Sequence, residues 1–263
     1  MIRTLRSALP LALLLAGCVT TNDNPHFNND QVSMAKASQD NVALGMQYMQ
    51  QGNRDVAMQK IQKAIQQDPD NANAYMAEAI LYSTIGDPQR ADDAYRIALR
   101  KAPDNPELQN NYAVFLCQNK RPKDAVGYFL KAAANPMYST PDAAYANAGV
   151  CAGYIPDPAA SEQYFRKALD INPYFPVALY QLALLDYQQK KYLSARAFIE
   201  RLTGMASQTN GGYKLTPDLL LLAVRNERAL KNPQGAADYA KQLMKLFPGS
   251  DQAQQLGQAD PHG

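Results

Sequence analysis

The chain has few of the residues that most catalytic and metal sites need. It contains no tryptophan, three cysteines and two histidines, and His26 and His262 lie near opposite ends of the 263-residue chain. The chain therefore has too few histidines to make a histidine-based zinc site or a Ser-His-Asp triad expected. No GxSxG, HExxH, GxxxxGK[ST] or GxGxxG motif is present, so we expect neither an enzyme nor a bound cofactor or metal.

The chain also lacks an excess of charge of either sign. Its 26 Lys and Arg residues stand against 24 Asp and Glu residues, a net charge of +2. Arg3 and Arg6 lie in a segment that we expect to be cleaved, and without them the balance is 24 against 24. Because nucleic-acid binding needs clustered positive charge, we expect no nucleic-acid partner. The same balance of charges argues against electrostatic binding to anionic lipid.

The N-terminus, MIRTLRSALPLALLLAGC, has the pattern of an export signal. Arg3 and Arg6 precede an apolar stretch, Leu9–Leu15, which is too short to span a bilayer. The string Leu15-Ala16-Gly17-Cys18 resembles the lipobox of bacterial lipoproteins, in which the cysteine becomes the acylated N-terminus. The resemblance implies a signal peptide over residues 1–17 and a lipid anchor at Cys18. An ordinary signal peptide with a chance cysteine is the alternative.

The residues after this cysteine indicate in which membrane we expect the protein to be anchored. Val19 follows it, whereas an Asp there would suggest inner-membrane retention in the enteric sorting rule. We therefore expect a lipid-anchored protein of the outer membrane that faces the periplasm. Residues 18–37 begin rich in Thr, Asn and Asp and have no helical apolar period, which predicts a lipidated cysteine followed by a flexible tether.

Small residues recur every 34 positions in the rest of the chain. The clearest sets are Ala57, Ala91 and Ala125, and Ala64, Ala98 and Ala132. This period resembles the tetratricopeptide repeat (TPR), a pair of antiparallel helices with small residues where the helices touch. The resemblance implies an all-α, right-handed superhelical solenoid of about six repeats over residues 38–250, with a C-terminal tail over residues 251–263.

The two remaining cysteines, Cys117 and Cys151, fall on the first helices of the third and fourth repeats. First helices of consecutive units lie side by side, so a disulfide between them is geometrically reasonable in an exported protein. Two buried free thiols are the alternative.

The first helices also form the concave face on which TPR arrays usually bind ligands. Its projecting positions are apolar and rich in methionine in the N-terminal half, and methionine is a deformable side chain common at surfaces that accept peptides. They predict a partner-binding groove formed by Val42, Met46, Met49, Met76, Ile80, Asn110 and Val114. Later repeats continue the stripe with Val150, Tyr180, Leu184 and Tyr187. Burial between helices is the alternative for each of these side chains.

Two short sequence motifs are more specific than the general repeat pattern. NNYAVFLC at residues 110–117 and NAGVCA at residues 147–152 resemble the NNYG-x-FLC and N-x-G-x-C-A signatures of the PilF/PilW family of type IV pilus biogenesis lipoproteins. The order of lipobox, repeats and a final LFPGS at residues 246–250 agrees with that family, while Ala113 replaces its common glycine.

The resemblance implies an outer-membrane pilotin that binds the type IV pilus secretin and promotes its localisation and multimerisation. It also implies the Cys117–Cys151 disulfide. We expect a chain that is monomeric by itself, with the secretin subunit and outer-membrane lipid as partners. The alternative is a TPR scaffold of another envelope machine, such as outer-membrane protein insertion or a peptidoglycan hydrolase complex.

Overall fold

The computed structural model describes residues 25–155, 158–207 and 212–259. Within these ranges there is no strand, and the thirteen helices form six pairs followed by one short helix. The helices are α1 (Pro25–Gln50), α2 (Arg54–Gln67), α3 (Ala72–Thr84), α4 (Pro88–Lys101), α5 (Pro106–Gln118), α6 (Pro122–Ala134), α7 (Pro141–Ala152), α8 (Pro158–Ile171), α9 (Pro176–Gln188), α10 (Tyr192–Ser207), α11 (Pro217–Ala229), α12 (Pro233–Leu246) and α13 (Asp251–Ala259). Each pair packs on the next along the chain, so the predicted all-α repeat solenoid is confirmed.

Several helices begin after a residue whose side chain caps the first turn, whereas α6, α7 and α9 have no such hydrogen bond. The side chains of Asn53 and Asp87, one repeat apart, accept hydrogen bonds from the backbone N–H groups of Val56 and Arg90. Proline occupies the first turn of nine described helices, where its missing N–H is not needed: α1, α4, α5, α6, α7, α8, α9, α11 and α12. Turn chemistry therefore recurs with the same period as the small residues.

Within each pair, alanine lets the two helices approach closely. The alanines at the recurring contact position are fully buried: Ala57, Ala91, Ala125 and Ala195. A large buried side chain follows four residues after each of these alanines, and Phe165 holds the same position after the buried Ser161 in the fourth pair: Ile61, Tyr95, Phe129, Phe165 and Ile199. The 34-residue period thus marks the points where helices touch, as the sequence predicts.

The first helix begins earlier than the sequence predicts. Helix α1 starts at Pro25, so residues 25–37, predicted to be part of a flexible tether, are helical. No proline or glycine interrupts residues 26–44, and a proline is compatible with the first helical turn. Ser38, predicted to open the array, is buried inside α1, and its Oγ donates a hydrogen bond to the Ala64 carbonyl at 2.9 Å. No described helix has the length and apolarity needed to cross a membrane.

The predicted C-terminal tail is also helical over most of its length. The Ser250 Oγ accepts a hydrogen bond from the Ala253 N–H at the start of α13. Ala253 and Leu256 are buried in one apolar cluster with Leu220 and Leu243 of the last helix pair. Helix α13 therefore covers the end of the array, the place where a solenoid needs a capping element.

Candidate protein-binding surface

The first helices of the repeats carry the predicted groove. Consecutive first helices contact one another from α1 to α3, from α3 to α5 and from α5 to α7. The structure places three groove residues on α1, two on α3 and two on α5, and all seven side chains are half-buried: Val42, Met46, Met49, Met76, Ile80, Asn110 and Val114. We refer to these seven residues as the groove.

The groove residues pack on the core and still offer part of their surface. Val42, Met46 and Met49 pack against the buried cluster around Ile61. Met76, Ile80 and Val114 pack against the next cluster along the chain. The structure therefore brings the apolar groove residues together along successive helices, with their inner atoms packed and their outer atoms accessible.

The polar contacts of the groove are few. The Asn111 Nδ2 donates to the Met76 Sδ at 3.4 Å, a side-chain contact between α5 and α3. The Asn110 Oδ1 is buried and has no hydrogen-bond partner among the described residues. None of the seven groove side chains is titratable. The groove is therefore suited to apolar contact rather than to ion pairing or proton transfer.

A disulfide joins the third and fourth repeats. It links Cys117 on α5 to Cys151 on α7, the pair that the sequence predicts, with a Cα–Cα distance of 5.8 Å. Cys151 is fully buried, whereas Cys117 keeps part of its surface. The bond fixes the two first helices relative to one another immediately after the groove.

The structure also shows a cleft that the sequence did not predict as a unit. It lies between α5 and α7, beside the disulfide, and has a volume of about 640 Å³. We call it the repeat 3–4 cleft; its lining is Val114, Cys117, Gln118, Lys120, Pro122, Phe129, Asn147, Val150 and Tyr154. The helical period marked Val114 and Val150 as projecting. Lys120, Pro122 and Tyr154 lie in or beside turns, where that period gives no signal.

The structure does not describe the predicted lipid anchor. Cys18 and the predicted signal peptide, residues 1–17, fall outside the described residues.

Comparison with known proteins supports the repeat assignment. Tetratricopeptide-repeat family models match residues 42–71 and 76–144. The type IV pilus assembly protein PilF of Pseudomonas aeruginosa is 32% identical over 255 residues, which cover 96% of this chain and 98% of PilF. An uncharacterised protein of Haemophilus influenzae is 27% identical over 146 residues, 56% of this chain and 78% of that protein.

Solved structures give the same result. The structure of Pseudomonas aeruginosa PilF aligns with a TM-score of 0.74 at 31% identity and covers 87% of this chain and 99% of that chain. PilW, described as a widely conserved type IV pilus biogenesis factor, aligns with a TM-score of 0.71 at 31% identity, over 83% of this chain and 97% of that chain. The chain therefore belongs to the PilF/PilW family of tetratricopeptide-repeat proteins.

Proposed function

We propose that this protein is an outer-membrane lipoprotein of type IV pilus biogenesis, a pilotin-like adaptor that binds the pilus secretin. In this proposal, acyl chains on Cys18 hold it at the membrane, facing the periplasm, and it promotes secretin localisation and multimerisation. The observation that carries the proposal is the similarity to the type IV pilus assembly protein PilF over nearly the whole of both chains.

The groove is the proposed contact with the secretin. Met46, Met76 and Ile80 each keep part of an apolar side chain accessible beside a packed core. An apolar or amphipathic segment laid along these helices would remove that surface from water, at about 25 cal/mol per Å². Methionine adapts its shape to the partner, which suits a segment whose side chains are irregular.

The adaptor needs no chemical step. A protein that holds secretin subunits at one membrane raises their local concentration, and the increase alone favours ring assembly. Stable anchoring in this scheme needs more than one acyl chain, which a lipidated N-terminal cysteine would supply. The proposal therefore separates two requirements, the anchor at Cys18 and the groove.

The anchor is tested by Cys18→Ala. This residue precedes the described array, so the variant should keep the helical content and melting temperature of the mature protein. Surface pili and heat-stable secretin multimers in the membrane should both decrease. Normal secretin multimers with a non-lipidated protein would contradict the proposed role of the anchor.

The groove is tested by Ile80→Asp in the lipidated protein. A carboxylate among the half-buried groove side chains should reduce secretin capture, because its desolvation opposes burial of the apolar surface. The matched control is Ile85→Asp, since Ile85 is 41% exposed and lies at the C-terminal end of the same helix. Capture of a different envelope machine, sensitive to Ile80→Asp, would instead identify the scaffold function that the sequence left open.

A further inference from the structure

The repeat 3–4 cleft combines exposed apolar side chains with two lysines that form no ion pair within the described residues. Tyr154 is 72% exposed and Val150 is 38% exposed, although both are large apolar or aromatic side chains. The buried ring of Phe129 also lines the cleft. Clustered exposure of this kind is typical of an interaction site, whereas single exposed apolar residues are ordinary.

The walls of the cleft are fixed. The Cys117–Cys151 disulfide ties α5 to α7, the two helices that carry Val114 and Val150. A preformed cleft loses little conformational entropy when a ligand enters, so more of the contact free energy remains for affinity.

The rim of the cleft is basic. Lys120, Arg121 and Lys123 surround a second notch of about 270 Å³, which shares Lys120, Pro122 and Tyr154 with the cleft. The guanidinium of Arg121 is already paired, at 3.1 Å from the Asp92 Oδ1 and 2.9 Å from the Asp124 Oδ2. Lys120 and Lys123 form no ion pair in the described part of the chain. The two free ammonium groups therefore stand beside the exposed ring of Tyr154.

The backbone at Lys120 allows a direct test of its side chain. Lys120 adopts a left-handed conformation with φ of 60°, and the residues one and two repeats earlier, Gly86 and Gly52, are glycines with φ of 81° and 77°. Lysine occupies the same turn position in later repeats, at Lys190 and Lys231, so this conformation belongs to the repeat turn and is not specific to the cleft. Glycine adopts it without the conformational cost of a side chain.

We propose that the repeat 3–4 cleft binds an acidic peptide segment of a partner protein, with one apolar or aromatic side chain inserted beside Tyr154 and Val150. Carboxylates next to that side chain pair with Lys120 and Lys123. The groove contains no cation, so the segment bound in the cleft differs in charge from the ligand proposed for the groove. The two surfaces meet at Val114, which belongs to both, and the cleft also includes Val150 and Tyr154. Binding in the cleft does not require a particular protein in the groove.

The experiment uses the full-length protein in detergent micelles and a fluorescein-labelled peptide of alternating Phe and Asp. Fluorescence anisotropy should show saturable binding that weakens with added salt, and a Phe/Asn peptide should bind about tenfold more weakly. Lys120→Gly should reduce affinity for the Phe/Asp peptide by about tenfold. Tyr154→Ala should also weaken binding, to both peptides.

Lys120→Gly removes the ammonium group without a folding penalty, because glycine favours the φ found there. Its melting temperature should equal or exceed that of the wild type. Lys190→Gly is the matched control: Lys190 has the same φ of 60° at the corresponding turn of the fifth repeat, and peptide affinity should not change.

Three outcomes would overturn the proposal. One is equal affinity for the Phe/Asp and Phe/Asn peptides. Another is equal loss of binding in Lys120→Gly and Lys190→Gly. The last is Lys120-dependent binding to phosphatidylglycerol vesicles without binding to the Phe/Asp peptide, which would assign the basic rim to lipid.

Discussion

Replacing Gly149 by alanine should destabilise the protein, although alanine is the better helix former. Gly149 is buried within α7, and a Cβ at this position would lie 2.7, 2.8 and 2.9 Å from three carbons of the Phe165 ring. Ordinary contacts of this kind begin near 3.4 Å. Phe165 is 1% exposed and belongs to a closely packed cluster, so the ring has no free space to enter.

The size of the effect follows from two opposing contributions. Overpacking a core by one methyl group costs about 1–3 kcal/mol, and replacing a helical glycine by alanine returns about 1 kcal/mol. The expected net loss is about 1 kcal/mol, with an upper value of about 2 kcal/mol. Gly127 in α6 is the matched control, since nothing lies within 4 Å of a Cβ built there, and Gly127→Ala should gain about 0.5–1 kcal/mol.

Urea unfolding followed by far-ultraviolet circular dichroism measures both variants against the wild type. The Gly149→Ala midpoint should fall and the Gly127→Ala midpoint should rise. Adding Phe165→Leu to Gly149→Ala should recover part of the loss, because the smaller side chain relieves the clash even as it leaves space elsewhere. A Gly149→Ala protein as stable as the wild type would refute the argument that the ring of Phe165 is confined.

Three further stability predictions follow from the packing. The double variant Cys117→Ala/Cys151→Ala removes a crosslink between residues 34 apart, and its free energy of unfolding should fall by roughly 3–4 kcal/mol. An unchanged denaturation midpoint in both the variant and the reduced wild type would contradict this prediction. Burial raises the pKa of the Tyr95 phenol, so the unfolded chain ionises first, and stability should decrease as the pH rises above about 10. Tyr95→Phe should lessen that decrease in melting temperature, and an identical alkaline profile would argue against it. Arg196→Met leaves the buried Glu227 carboxylate without the guanidinium that joins α10 to α11. The free energy of unfolding in urea should fall by about 2–3 kcal/mol. A decrease within experimental error would show that the ion pair contributes no net stability.

The repeat architecture could be predicted because several levels of the sequence agree. The alanine period, the proline positions and the polar caps all specify the same helix pairs, so an error at one level is corrected by the others. Ala57, Ala91 and Ala125 are fully buried where the period places them. The pairing of Cys117 with Cys151 followed from their placement on neighbouring first helices.

The ends of the array were predicted less well, because few of their described side chains are buried, which leaves no clear apolar period. Residues 25–37 are polar enough to suggest a tether, yet they continue α1 because nothing in their sequence breaks a helix. Over residues 251–257 of α13, where burial is described, only Ala253 and Leu256 are buried, too few to give a period. Tertiary contact with the last pair, which the local sequence does not show, holds this helix in place.

The repeat 3–4 cleft was missed for a different reason. Its lining comes from two first helices, one second helix and two turns, and side chains from turns follow no period. The turn at Lys120 gives no distinct sequence signal, because the corresponding position holds Gly52 and Gly86 in earlier repeats and Lys190 and Lys231 in later ones.

We propose that the groove binds the pilus secretin, and affinity capture from detergent-solubilised outer membranes would detect this contact. The wild-type lipoprotein, Met76→Lys and Met137→Lys would be captured in parallel and their partners identified by mass spectrometry. Met137 is 85% exposed and lies outside the groove, so it controls for the added charge. We expect secretin to be the dominant partner of the wild type and of Met137→Lys, and Met76→Lys to capture much less secretin. Secretin absent from all three captures, or present in equal amounts in all three, would contradict binding at the groove.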